Sequence, residues 1–469
     1  MQWPIIAFVG IGLFVLSFFY WRAAVFGVLF WVVVEGALRK WVFPDYQAFI
    51  YLLKFIALGG AYLRFYGGRL VHRERLIPSH PINLFIWPLV GWGILELFNP
   101  HLPNLLVGVF GLEAYFSFVP LFYMVPSLFP SKERLVRFLT LYALVAIPVF
   151  IVGIAQFFTT QVGGETASPF VSYLQWPGFT LVPPVSPVVS QEGINYARVS
   201  ATFSYLSGYG TYVFVIIIVL LTLLNLSIGV SMVSRVFLSI ALTLGIANAF
   251  MTGSRGVVFS VAALVPIFFF TVLRSRPRTP RALWPAIVLS LLIVFTILLL
   301  FSPAITQFWQ RTMGAWDNAF ARVVRTFATP VAYARYSFPW GYGIGSTHQA
   351  TFFLASGQPQ YAWLPTMEME EEPGRVMLEL GLVGFLLFYA MRLALLFGFW
   401  RLARTLSTSD GKVLAMAVFL FHAAHFYLPF MPPIVFNVTA SLYYWFFSGM
   451  LFLLPQLERR NESPAGPIS

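Results

Sequence analysis

Residues 205–227 read YLSGYGTYVFVIIIVLLTLLNLS, with no charged side chain anywhere in the stretch. A helix that crosses the hydrocarbon core of a bilayer needs about 20 consecutive apolar residues. Only helices and closed barrels satisfy every backbone amide in lipid. Barrel strands are shorter and alternate in polarity, and this stretch does neither. Four more blocks, 138–158, 236–252, 256–273 and 283–302, are equally free of charge. The whole chain repeats the signal: of 469 residues, 59% are hydrophobic and 10% charged, against roughly 25% charged in an average soluble domain. Too few polar residues remain to coat soluble domains of that total length.

The expected architecture is therefore all-α: a polytopic membrane protein forming a single integral membrane domain over 1–469, with about 12–13 transmembrane helices. The spans are expected near 3–20, 23–42, 47–64, 82–98, 105–128, 138–158, 205–227, 236–252, 256–273, 283–302, 376–400, 411–431 and 436–456. No basic residue precedes the first apolar run and no small-residue cleavage site follows it, so it reads as a retained helix and not as a signal peptide.

Orientation follows from Lys and Arg. Clusters at 64–75, 132–137, 274–281, 401–412 and 459–460, with Arg22 and Arg235, hold 18 of the 29 basic residues. All of them fall on one side of the thirteen-span arrangement, which the positive-inside rule makes cytoplasmic, with the C-terminus. The net charge of +12 then reads as topology, with some attraction to anionic membrane lipids. The clusters are too short and scattered to suggest nucleic-acid binding.

The same arrangement places two long polar segments, 159–204 and 303–375, on the extracytoplasmic side. Both are rich in Pro, Gly, Ser and aromatics, and segments of such length are commonly functional. No internal repeat supports an inverted-repeat transporter. GYGIG at 341–345 is a turn-rich stretch and not a nucleotide loop. Cysteine is absent.

Charge set against the outer membrane face marks the candidate chemistry. Arg198 lies in NYARVSATFSY, and Arg255 in MTGSRG between two uncharged helices. An arginine in so tight an apolar hairpin either snorkels and caps carbonyls or serves as a fixed cation for phosphate, which its planar fork grips in two places. Gly253, Ser254 and Gly256 would let backbone amides approach the same anion. An acidic run, Glu368, Glu370, Glu371 and Glu372, leads into a helix carrying Arg375 and Glu379. Most of such a run is ordinarily solvated, yet one carboxylate beside basic groups suits a general base. His348, in GSTHQ, is a further outer-side candidate. His422 and His425 share a helix face at a spacing that suits a metal pair, but no further ligands converge there, so no metal is expected. Glu35, Glu96 and Glu113 either line a polar groove or sit near the interfaces.

An Arg before a TF-containing helix start, then TGSRG between helices, then a long outer loop closing in ELGLVG resembles the bacterial O-antigen ligase and polysaccharide polymerase superfamily of membrane glycosyltransferases. The resemblance covers roughly residues 90–400, and the order of the motifs carries it. It implies a bacterial inner-membrane enzyme acting on the extracytoplasmic face, with a polyprenyl-diphosphate-linked (undecaprenyl-type) oligosaccharide donor, a glycan acceptor, membrane lipids and other polysaccharide-assembly proteins as candidate partners. Arg198 and Arg255, with Arg375 beside them, would hold the diphosphate. Glu370, Glu371 or Glu372 would act as the catalytic base, with His348 and Glu379 as alternates, and no cofactor is implied. Ligases of this family carry a histidine at the position eleven before Gly381, where this chain has Glu370. That departure favours polymerisation of repeat units over ligation to a separate acceptor. A non-catalytic transporter of the same lipid stays open as the alternative. Trp176, Tyr196, Trp340, Tyr361 and Trp363 would stack on sugars or anchor the interface.

Overall fold

The computed structural model describes residues 2–159, 188–191, 194–227, 230–275, 301–314, 316–337, 339–348, 351, 354, 371–427, 431–435 and 437–462. Glu368, Glu370, Trp176, Tyr361, Trp363 and most of the expected tenth span, 283–300, lie outside the described residues. The helices are α1 (Gln2–Phe19), α2 (Trp21–Ala37), α3 (Gln47–Val71), α4 (Asn83–Glu96), α5 (Leu105–Phe116), α6 (Val119–Leu128) and α7 (Lys132–Thr159). A small antiparallel hairpin follows, β1 (Val188–Gln191) and β2 (Ile194–Ala197), with Val188 opposite Ala197. Then come α8 (Leu206–Asn225), α9 (Met232–Met251), α10 (Arg255–Ser275), α11 (Ser302–Gly314), α12 (Trp316–Ser337), α13 (Glu372–Thr405), α14 (Ser409–Ala424), α15 (Val438–Ser448) and α16 (Met450–Glu462).

Among the described residues, eight helical stretches are long and apolar enough to cross a membrane: Trp21–Val42, Pro44–Val71, Leu105–Leu128, Lys132–Phe158, Leu206–Asn225, Met232–Met251, Glu372–Thr405 and Val438–Arg460. Ile6–Phe19 and Arg255–Phe268 are shorter apolar helices. The expected spans at 82–98 and 411–431 appear as α4 and α14, of 14 and 16 residues. The protein is an all-α, multi-pass membrane protein.

The uncharged α8 is the centre of the bundle. It packs against α7, α9, α10, α14 and α15 and is buried from Gly208 to Leu223. Being apolar on every face, it is suited to burial on every side. Peripheral helices instead expose large apolar side chains, such as Leu386, Leu393 and Phe397 on α13. Those would be a liability in water and are ordinary in lipid.

Two ends of the bundle are distinguished by their ties. At one, Arg22 donates to the Ser127 carbonyl, Lys132 pairs with Asp410 at 3.0 Å, Arg460 donates to the Pro130 carbonyl, and Glu458 accepts from Ser407 and Thr408. This end carries the basic residues of 132–137, 401–412 and 459–460. At the other lie Arg198, the 252–256 turn, the start of α13 and residues 431–433.

The segment 303–375 is not a plain loop. It begins with α11 and α12, and α12 packs along α13. Phe320, Val324, Phe327 and Val331 form one exposed stripe on α12, whereas Thr326 and Ser337 on the same helix are buried. An exposed apolar stripe of this kind suits a helix lying in the membrane interface.

The long α13 breaks its own helical geometry at Gly381, where φ is 63°. That left-handed residue frees the carbonyls just before it. Tyr342 N–H takes Leu378 O at 2.9 Å, Gly343 N–H takes Glu379 O at 3.0 Å, and Trp92 Nε1 takes Leu380 O at 2.9 Å. GYGIG is thus the loop that docks onto the kink, and a side chain at Gly341 would strike this backbone.

Candidate functional site: an arginine-lined cavity

The TGSRG turn is built from its backbone outward. Thr252 closes α9 by donating its amide N–H to Asn248 O, and Gly253 follows with φ 60°, the left-handed conformation that ends many helices. Ser254 N–H donates to Thr252 Oγ1 at 3.1 Å, and α10 starts at Arg255. The first-turn amides of α10 have no partner within their helix and carry its positive dipole end, so Gly253, Ser254, Arg255 and Gly256 together form one side of an anion-suited wall.

Arg198 reaches that wall because its segment is stitched on three sides. Val199 N–H binds Met251 O at 3.2 Å, Gln156 Nε2 binds Ala201 O at 3.0 Å, and Thr202 Oγ1 binds Val33 O at 2.5 Å. Lys40 donates to Ser204 O. Arg198 itself reaches Thr252 O at 3.5 Å. Gly36 permits the approach, since a Cβ there would sit 2.3 Å from Ser204 N.

These elements enclose a cavity of about 540 Å³, to which Arg198, Arg255, Arg311, Arg322, Glu371, Glu372, His425 and Tyr427 all contribute. The arginines feel one another. Burial, then Arg322 and Arg255, push Arg198 down to about 10. Like charges held this close suit an anion bound among them, and phosphate is one that arginine grips well. Arg311 also donates to Gly253 O, which ties α11 to the turn.

The acidic residues separate by role. Glu372 forms an ion pair with Arg392, and its Oε1 accepts the amides of Ile434 at 2.7 Å and Val435 at 3.0 Å. A carboxylate so fully engaged holds the 431–435 segment against α13. Glu371, at the N-cap of α13, is 5% exposed and caps no amide with its side chain. It has room to meet a ligand.

The structure brings Arg198, Arg255, Glu371 and Glu372 into one cavity and leaves three expected residues out. Arg375 does not line it, and its charge acts on Glu379, Tyr115 and Glu372 instead. Arg375, half-buried one turn into α13, thus lies apart from the residues that line the cavity with Arg198 and Arg255. Glu379 is fully buried and accepts Thr347 N–H at 2.8 Å and Thr347 Oγ1 at 2.6 Å, anchoring the GYGIG loop. His348 stacks on Phe110, with ring centroids 5.5 Å apart. Burial, then Arg375, push it down to about 4. Both belong to the loop anchor and not to the cavity wall. Trp340 stacks on Trp92 at 5.3 Å.

Three contributors were not singled out in the sequence. Arg311 and Arg322 sat in a segment read as a loop, and the amphipathic spacing of α11 and α12 was the available signal. Tyr427 carried none. Glu35 pairs with Lys54 at 2.8 Å and with Arg39 at 3.5 Å, and Glu96 accepts from Asn99 at 2.6 Å. His422 is satisfied by Val418 O and Ser448 Oγ, each at 2.9 Å. Among the described residues no cluster of three or more metal-ligating side chains occurs.

Fold and site together define a multi-pass helical membrane protein with a cationic cavity at one end of its bundle. No protein-family model matches the chain, and no curated protein matches its sequence.

Proposed function

We propose that the chain is a membrane-embedded glycosyltransferase of the bacterial cytoplasmic membrane, joining lipid-linked oligosaccharide repeat units into a polysaccharide on the extracytoplasmic face. The observation that carries this reading is the gathering of Arg198, Arg255, Arg311 and Arg322 with Glu371 around one cavity at one end of the helix bundle. Arginines there would grip the diphosphate of a polyprenyl-linked donor and neutralise the charge that builds on it as it leaves. An acceptor sugar hydroxyl would attack C1 from the opposite face. The C1–O bond to the diphosphate breaks with its electron pair remaining on the leaving group, and Glu371 takes the hydroxyl proton. Inversion at the anomeric carbon follows. The diphosphate is already a good leaving group, so neither an acid nor a nucleotide sugar enters.

The test is a reconstitution. Purified protein receives a polyprenyl-diphosphate oligosaccharide and nothing else. Growth by whole repeat units with release of polyprenyl diphosphate supports polymerisation. Modification only when a separate acceptor is added, once per acceptor molecule, would replace it with a ligase. Translocation of the intact lipid in liposomes without growth would replace it with a transporter.

A further inference from the structure

A second concavity lies away from the arginines, where α4, α13 and α16 meet. It measures about 610 Å³ and is lined mostly by apolar side chains, among them Phe85, Leu393, Phe397 and Leu451, together with His80 and Arg401. Thr405 and Pro455 also line it, a few residues from the ties of Glu458 to Ser407 and Thr408, so the groove sits at the end that carries the basic residues. Leu393 and Phe397 are 54% and 66% exposed, which in a membrane means open to lipid. Gly398 keeps α13 close to α16, since a Cβ there would sit 3.3 Å from Leu451 Cδ1.

The two titratable groups in this groove present the same chemistry. Arg401 is exposed and makes no ion pair or side-chain hydrogen bond among the described residues, whereas Arg404 lies 4.0 Å over the Trp400 ring. His80 packs edge-on against Phe452, with ring centroids 5.1 Å apart, and its Nδ1 accepts Ile82 N–H at 3.2 Å. Burial pushes its pKa down, towards the neutral ring. With Nδ1 accepting, that ring carries its proton on Nε2. Arg401 and His80 thus both offer donors, one of them charged, in a chiefly apolar groove.

A soluble anion would meet the donors and leave the apolar walls bare. A hydrocarbon chain alone would cover the walls and leave the arginine unmatched. A phospholipid meets both, because its phosphodiester is ionised near neutral pH and its free oxygens only accept. A zwitterionic head adds a cation that Arg401 repels, so the charge favours an anionic one; basic pockets between membrane helices bind such heads.

We propose that the groove between α4, α13 and α16 binds one anionic glycerophospholipid, with its phosphodiester on Arg401 and the His80 Nε2–H and an acyl chain along Phe85, Leu393 and Phe397. The proposal is independent of the glycosyl-transfer reading and involves no covalent step. A lipid held there ties α4 to α13 and α16 from the bilayer side.

The experiment is lipid competition on the full-length protein in detergent, followed by native mass spectrometry, with phosphatidylglycerol set against phosphatidylcholine of the same chains. Wild type should retain phosphatidylglycerol more tightly, on the order of fivefold, the contribution of one arginine near a charged lipid head. Arg401→Gln, at an exposed position, should lose that preference. Arg134→Gln, an exposed arginine of the same end outside the groove, should keep it. Ala394→Trp, which fills the groove, should lower retention of both lipids. Equal retention of the two lipids by wild type overturns the proposal without any variant. A preference that survives Arg401→Gln, or one that falls equally in Arg134→Gln, would make the attraction a general surface charge and overturn the site. Unchanged retention in Ala394→Trp would place the acyl chain elsewhere and overturn it too.

Discussion

Glu371 and Glu372 are neighbours in sequence and both line the cavity, yet their neutralisation should have opposite consequences. Glu372→Gln removes the negative charge facing Arg392, which is 1% exposed and cannot turn to water. Breaking a buried pair by deleting one partner costs about 3–5 kcal/mol. The amides of Ile434 and Val435 can still bond to the glutamine oxygen, so the loss belongs chiefly to the stranded arginine. Removing the partner too, in Glu372→Gln with Arg392→Met, should recover most of it. Glu371→Gln touches no such pair and should leave stability within about 0.5 kcal/mol, while transfer slows by about 10²–10⁴-fold if its carboxylate is the base. Thermal unfolding in detergent, followed by tryptophan fluorescence, reads the first quantity. Chain growth on lipid-linked oligosaccharide, normalised to folded protein, reads the second. A stable Glu372→Gln would refute the structural role of the pair. Full transfer by Glu371→Gln would remove it as base and move attention to Glu370.

Arg198→Lys and Arg255→Lys should fold and insert yet recover little of the transfer lost in the alanine variants, because an ammonium cannot form the two-pronged contact; normal product from Arg255→Ala at equal protein level would make the TGSRG turn structural. For His348 the sign follows from its depressed position. The unfolded chain takes up the proton near pH 6.5 and the folded chain only near 4, so stability should fall as pH drops through that window and level below it. His348→Gln should flatten that limb in a pH series of unfolding midpoints, and an unchanged limb would assign it to other groups. For topology, His101→Cys and Glu133→Cys both place an exposed thiol in a chain that has no cysteine. A membrane-impermeant reagent on intact cells should label the first and spare the second, and the reverse pattern would invert the orientation along with the mechanism.

The sequence by itself determined the class and the backbone of the site. Charge-free blocks such as 205–227, too long and too evenly apolar for barrel strands, must be helices in lipid to satisfy their amides, and α8 followed. TGSRG announced its own turn, since Gly253 needs a left-handed φ and an arginine between two apolar helices has few cheap places to be. Helical periodicity in 302–314 and 316–337 was equally present in the sequence but was outweighed by the polarity of the segment around it, so Arg311 and Arg322 were passed over. What only the tertiary structure decided was which charges meet. Six positions separate Arg375 from His-free Gly381 along one helix, and nothing in that spacing says that the Gly381 kink turns Glu379 towards Thr347. Likewise Glu371 and Glu372 read alike until Arg392, 20 residues along the same kinked α13, and the amides of 434–435 claim one and leave the other. The role of a charged group in a membrane protein depends on the partner that offsets its burial, and those partners come from elements distant in the chain, or a kink away, whose approach local sequence does not specify.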